Sequence, residues 1–198
     1  MTLCRADLPA EPVSLLRQWL EAAREADLIE PSAAALATVG IDGGPSCRMV
    51  LVRDADAQGV VFYTNYQSRK GVDLAQTQRA ALTLWWPPLE RQLRVEGYAS
   101  RVSEAESDVY FASRSRDSQI SAAASPQSRP LRDRAELEER IAELAARHPD
   151  EVPRPAHWGG VRVSLEVVEF WQGAAHRRHD RLVFRRRGEL WDIERLAP

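Results

Sequence analysis

Cysteine and lysine are scarce in this chain, and each scarcity excludes something. The two cysteines, Cys4 and Cys47, are too far apart in sequence for a CxxC pair. No disulfide framework and no zinc site is suggested, and a reducing, cytoplasmic setting is expected. No apolar run is long enough to span a membrane, and no charged start followed by an apolar stretch marks a signal peptide. GxGxxG and Walker patterns are missing, as are repeats and low-complexity tracts. What is present is an ordinary soluble composition: 198 residues, 44% hydrophobic and 28% charged, with a net charge of -2. That length suits one compact domain with its own core. The negative balance argues against bulk nucleic-acid binding.

Lys70 is the only lysine among 27 basic residues. It lies in Ser68-Arg69-Lys70-Gly71, at a predicted strand-to-helix turn. A helix N-terminus with these side chains around it can receive an anion through backbone N–H groups and the helix dipole. A solvated helix start accounts for the same residues, and both readings stand.

Residues 12 to 27 read as a helix, with Pro12 suited to its first turn and Leu15, Leu16, Trp19, Leu20 and Ala23 on one stripe. Short β-rich runs follow, Ala34 to Val39, Arg48 to Arg53 and Val60 to Tyr63, separated by turn residues. Ala80 to Trp86 and Gln92 to Val102 add two strands, joined through Pro87-Pro88. Ser103-Glu104-Ala105-Glu106 is a capping-box pattern, Ser118 to Ser125 a short helix then a loop, and Arg134 to Arg147 a further helix. Pro153-Arg154-Pro155 reads as a linker within the domain. Val161, Val163, Leu165 and Val167 alternate as in a strand, and Phe184 and Trp191 fall in two final strands. Many short antiparallel strands with helices between them predict an α+β, barrel-like architecture rather than a βαβ nucleotide fold.

Four clusters could carry chemistry. If Arg177 to Arg181 is a strand, Arg177, His179 and Arg181 project from one face and suit a phosphate or carboxylate between them. A solvated face with Asp180 as counter-ion is the alternative. On a strand, Arg48, Val50 and Val52 share one side, while Arg53 points the other way unless a bulge intervenes. Tyr110, Arg114 and Ser118 are spaced by four and form a polar stripe if one helix runs through them. Gln127-Ser128 is a polar loop pair with no meaning in isolation.

In order along the chain stand Arg48-Met49-Val50-Leu51, Phe62-Tyr63-Thr64-Asn65, Ser68-Arg69-Lys70-Gly71, Leu89-Glu90-Arg91-Gln92 and Tyr110-Phe111. They are followed by Ser118-Gln119-Ile120, Gln127-Ser128, Trp158-Gly159-Gly160 and Glu169-Phe170-Trp171-Gln172-Gly173. In this order and spacing the chain resembles the pyridoxamine 5′-phosphate oxidase family, FMN-dependent enzymes of vitamin B6 metabolism. The resemblance runs from Asp7-Leu8-Pro9 to Arg195-Leu196-Ala197-Pro198. It implies an α+β, mainly antiparallel, Greek-key-like split β-barrel with peripheral helices, forming a homodimer with FMN at the subunit interface. It implies a single domain over 1–198, with a short N-terminal arm over 1–11 and C-terminal strands over 160–198 completing the barrel and the substrate site.

Carried over by position, Arg48, Met49, Val50, Leu51, Tyr63, Thr64, Arg69, Lys70, Gln92, Gln127, Ser128, Trp171 and Arg181 would hold FMN, with Arg69 and Lys70 near its phosphate. Arg53, Tyr110, Arg114 and Ser118 would take the substrate phosphate, and Arg177 and His179 would be the catalytic pair beside the flavin. No metal is implied. The implied reaction oxidises pyridoxamine or pyridoxine 5′-phosphate to pyridoxal 5′-phosphate and reduces O2 to H2O2.

The departures from the family pattern fall on the substrate side. Arg53 stands where lysine is usual, Ser121-Ala122-Ala123 where Gly-Ala-Trp is frequent, and Arg178 where leucine is common. With few residues ahead of Asp7, no equivalent is expected of the N-terminal segment that folds over substrate in some relatives. A related FMN oxidase with another substrate, such as a phenazine-pathway intermediate, therefore stays open. So does a non-catalytic protein binding flavin or a B6 phosphate. Nucleic-acid binding through Arg177 to Arg187 is disfavoured, because His179, Asp180 and Phe184 are interleaved there as in a folded hairpin.

Overall fold

Alternating burial in the first half of the chain becomes a closed ring of strands in the computed structural model, which describes residues 9–198. Strand β1 (Ala33–Val39) buries Ala34, Leu36 and Thr38, every second residue. It pairs with β2 (Pro45–Asp56) on one side and β4 (Arg79–Trp86) on the other. From β2 the ladder passes to β3 (Gly59–Asn65), β6 (Trp158–Val163) and β5 (Arg91–Arg101), and β5 pairs with β4 to close a six-stranded antiparallel barrel. Closure leaves these strands no open edge. Leu36, Phe62, Leu82, Leu93 and Val95 are fully buried in the main core. Helix α1 (Val13–Glu25) adds Leu16, Trp19, Leu20 and Ala23 at helical spacing, with Trp19 edge-on to Phe170 at 5.1 Å and to Trp86 at 6.5 Å.

The alternating run from Val161 to Val167 is two strands, not one. After β6 the chain leaves the barrel, and β7 (Val167–Gln172) pairs with a different stretch of β5. Ala99 to Arg101 of β5 hold β6, while Arg91 to Glu96 hold β7. Between them Gly97 lets the chain cross. A Cβ there would lie 1.9 Å from the Ser164 carbonyl oxygen. Leu165, in the crossing, stays buried. Strands β8 (Asp180–Arg187) and β9 (Leu190–Leu196) extend the sheet beyond β7. Within 160–198 the barrel is therefore completed by β6, and β7 to β9 continue outside the ring.

Helix α2 (Arg69–Thr77) follows β3 directly, capped by Ser68, whose hydroxyl accepts from the Gly71 amide. Helices α3 (Glu104–Ala112), α4 (Arg116–Ala124) and α5 (Arg134–Arg147) pack around a second core of Phe111, Ile120, Val152 and Trp158. Ser103 caps α3 through the Glu106 amide, but Glu106 turns to Arg162 rather than back to Ser103, so half of the expected capping box forms. The expected N-terminal arm lies mostly outside the described residues. Among the described residues no helix is long and apolar enough to cross a membrane.

Candidate active site

Strands β2 and β3 and helices α3 to α5 enclose a cleft of about 1020 Å³. Met49, Val50, Leu51 and Arg53 of β2 line it, with Tyr63 and Thr64 of β3. The β2–β3 register slips between Val52 and Asp54, so Arg53 occupies a bulge. Its side chain reaches the same cleft as Met49 and Leu51, four and two residues earlier.

One end of the cleft is built on Lys70. Ser68 starts α2 where β3 ends, and Gly71 permits the tight approach; a Cβ there would lie 2.3 Å from the Tyr66 carbonyl oxygen. The Lys70 ammonium is buried and donates to Gln127 Oε1 at 2.9 Å and to the Thr64 and Ser68 hydroxyls at 3.2 Å. No carboxylate pairs with it among the described residues. Burial, and then the nearby Arg48 charge, push its pKa down to about 8. Thr64, Lys70 and Gln127 are thus brought together from three elements. Arg69 and Ser128 line a smaller hollow of about 200 Å³ beside Asp73. Ser128 adopts a left-handed backbone, φ 68°.

Arg48 does not line the cleft. Its guanidinium donates to the Leu36 carbonyl and the Thr38 hydroxyl and approaches Asp73 at 3.9 Å. Burial lowers its pKa, and Asp73 opposes the shift. The side chain ties β1 to α2 behind the Lys70 end.

The other cationic point is Arg114. A continuous helix through Tyr110, Arg114 and Ser118 is not formed: α3 stops at Ala112, and Ser115 caps α4 by accepting from the Ser118 amide. The break still delivers all three residues to the cleft. Tyr63 and Tyr110 stack at 3.7 Å, and Trp158 lies parallel to both. Arg114 rests 4.7 Å above the Trp158 ring, with Nη1 buried and unpartnered. Burial depresses its pKa; Tyr110 opposes this and Arg53 adds to it. Burial, then Glu106, pushes the Tyr63 hydroxyl up to about 12, so it remains a neutral donor.

The C-terminal row is not one strand face. Ala175–Arg177 form a 3₁₀ turn in which His176 and Arg177 are left-handed, φ 58° and 60°, and β8 begins only at Asp180. Gln92, Trp171 and Arg181 instead form a row across three strands, as direct partners β5 to β7 to β8. Arg181 donates to Glu169 at 2.7 Å, a bond that raises its pKa. Trp171 packs on the His179 ring at 4.5 Å and edge-on to Trp85 at 5.7 Å. His179 Nδ1 accepts from the Ala174 amide at 3.2 Å. None of Gln92, Trp171, Arg177, His179 and Arg181 lines this cleft.

Residues 20–148 match the family model described as pyridoxamine 5′-phosphate oxidase, and residues 158–198 match the pyridoxine 5′-phosphate oxidase C-terminal dimerisation region. The chain belongs to the pyridoxamine 5′-phosphate oxidase family. Its similarity to named pyridoxine/pyridoxamine 5′-phosphate oxidases is high. It is 50% identical to that of Thermosynechococcus vestitus over 99% of this chain and 93% of that one. The Ectopseudomonas mendocina protein is 49% identical at the same coverage. Among solved structures, PhzG from Burkholderia lata, in complex with tetrahydrophenazine-1-carboxylic acid, has a TM-score of 0.94 at 37% identity, covering 100% of this chain and 98% of that one. A Nostoc punctiforme FMN-binding protein shares the fold at a TM-score of 0.75 and 17% identity, over the full length of both chains. The fold is the split barrel of this oxidase family.

Several cleft residues are not among those that the sequence marks as site residues: Asn65, Trp158, Ser121, Ala122, and Leu137 and Ile141 of α5. Asn65 and Trp158 stand inside the family motifs, so the sequence carries their signal without a role. The α5 residues carry only the apolar spacing of a packing helix.

Proposed function

We propose that this protein oxidises pyridoxamine or pyridoxine 5′-phosphate to pyridoxal 5′-phosphate, using FMN and O2, as a homodimer whose two copies each complete the other's cleft. The observation that carries this reading is a single cleft with two separate cationic points that no carboxylate pairs, Lys70 at one and Arg114 with the exposed Arg53 at the other. A phosphate oxygen about 4 Å from one such charge gains on the order of 4 kcal/mol at an effective dielectric of about 20, before desolvation. Two such points suit two phosphate-bearing molecules, a cofactor and a substrate.

In this reading Lys70, Arg69 and the first turn of α2 take the FMN phosphate, and Thr64, Gln127 and Ser128 hold its surroundings. FMN, when bound, supplies a two-electron acceptor that O2 regenerates with release of H2O2. Arg53, Tyr110, Arg114 and Ser118 take the substrate phosphate. Gln92, Trp171 and Arg181, with Arg177 and His179, come from the second copy, consistent with their position away from this subunit's cleft and with the dimerisation region that contains four of them. Arg177 orients the substrate. Because His179 Nδ1 accepts from the Ala174 amide, the neutral ring carries its proton on Nε2 and presents a donor.

The purified protein tests this directly. An oxidised-flavin spectrum that bleaches without oxygen on adding pyridoxine 5′-phosphate is the expected result; a spectrum left unchanged by both B6 phosphates overturns the reading. The likeness to PhzG, solved in complex with tetrahydrophenazine-1-carboxylic acid, supports one second reading, oxidation of a bulkier reduced tricycle. Bleaching by a tetrahydrophenazine carboxylate, and not by B6 phosphates, would select it.

A further inference from the structure

Arg154, between two prolines, lies outside every helix and strand, yet its side chain is only 8% exposed. Pro153 and Pro155 restrict the backbone around it, so the side chain leaves from a stiff segment. All three guanidinium nitrogens are engaged. Nε donates to Asp108 at 2.6 Å, Nη2 to Glu104, and Nη1 to the Trp158 carbonyl at 2.6 Å. Glu104 and Asp108 are one turn apart on α3, and Trp158 opens β6. One planar group thus fixes α3 to the first residue of β6.

What the clamp joins is the aromatic stack of the cleft. Tyr110 comes from α3, Trp158 from β6, and Arg114 lies over Trp158 just past the end of α3. The Arg114 side chain makes no ion pair and no hydrogen bond among the described residues, so the Trp158 plate, flanked by Phe111 at 5.1 Å, holds it in place.

We propose that Arg154 is a positioning residue for anion binding: by locking Trp158 to α3 it sets where the Arg114 guanidinium stands in the cleft. The proposal rests on reading Arg114 as the substrate-phosphate ligand. Arg154 does not line the cleft and acts through Trp158. Its bonds to Asp108 and Glu104 outweigh the opposing effect of burial and raise its pKa, so the clamp stays charged at any working pH.

The test uses flavin-loaded protein and inorganic phosphate as the probe, titrated by calorimetry, with Arg114→Ala assigning the heat to this point. Arg154→Leu is expected to weaken phosphate binding and raise KM for pyridoxine 5′-phosphate by about tenfold, with kcat within about twofold and flavin content unchanged. Arg154→Lys, which keeps the charge but not the fork, is expected to recover only part of the loss. Unchanged phosphate affinity in a folded Arg154→Leu protein overturns the proposal, as does a loss shared equally by kcat and flavin content. So does a phosphate heat that Arg114→Ala leaves intact. Should Arg154→Leu not fold, Asp108→Asn removes one of the two carboxylates and is read the same way at smaller amplitude. Failure of the wild type to oxidise B6 phosphates would remove the proposed function, while the phosphate titration would still decide the clamp.

Discussion

Lys70 Nζ donates to Gln127 Oε1 at 2.9 Å, joining residues 57 positions apart. The contact places a buried cation among neutral oxygens, with an amide and two hydroxyls but no carboxylate. Such a charge is poorly compensated until an anion arrives. Lys70→Met keeps most of the stem and removes the charge. Flavin affinity is expected to fall at least ~100-fold, the loss of about 3 kcal/mol of charge-assisted bonding. The flavin-free protein is expected to melt at the same or a higher temperature. Fluorescence titration and thermal melts check both halves.

The lowered Lys70 pKa also gives a pH dependence with a definite sign. The folded value is about 8 against 10.5 for the ordinary side chain. Between these the unfolded chain keeps a proton that the folded chain has released, so flavin-free stability from this group rises with pH across that window. Below about 8 both forms are protonated and the contribution is flat. The gain approaches on the order of 2–3 kcal/mol near the top of the window. Urea unfolding of wild type and Lys70→Met at pH 7.5 and pH 10 isolates it, because other titrating groups cancel in the difference.

Glu169 is buried between two arginines, Arg94 at 2.9 Å and Arg181 at 2.7 Å. Glu169→Ala leaves both guanidiniums without their shared anion at the centre of the β5–β7–β8 sheet. A loss of about 2–3 kcal/mol is expected, less than for a fully buried pair because both arginines are partly exposed. Glu169→Gln should lose less, since the amide oxygen can still accept. Denaturant unfolding at fixed protein concentration measures both.

At Gly97 the obstacle is backbone: an alanine methyl would sit 1.9 Å from the Ser164 carbonyl oxygen. Gly97→Ala must push the β6–β7 crossing away from β5 and is expected to cost about 3 kcal/mol. In the proposed homodimer, loss of dimer in sedimentation before loss of barrel circular dichroism is the outcome that ties the cost to the C-terminal sheet.

The elements legible in the sequence are those where one face is buried and the period is clean. Leu16, Trp19 and Leu20 mark α1, and Ala34 and Leu36 mark β1, because a single periodicity governs each. Two misreadings have separate physical causes. Val161 to Val167 keeps alternating through the crossing because Leu165 is buried there too, so the pattern hides the break. Arg177 to Arg181 reads as extended because the turn before β8 uses His176 and Arg177 in left-handed conformations without glycine. The cleft itself is legible only through motifs. Thr64, Lys70 and Gln127 meet through tertiary structure, and nothing local in Pro153-Arg154-Pro155 announces three bonded nitrogens.

A chain with one lysine carries a built-in address for amine chemistry. With its pKa near 8, Lys70 holds about half of its population as the neutral amine at that pH. An acylating reagent small enough to enter the cleft would then mark one internal position, separable from the N-terminal amine by peptide mass. Any ligand seated against Lys70 would shield it, so the extent of labelling becomes an occupancy gauge needing neither turnover nor colour.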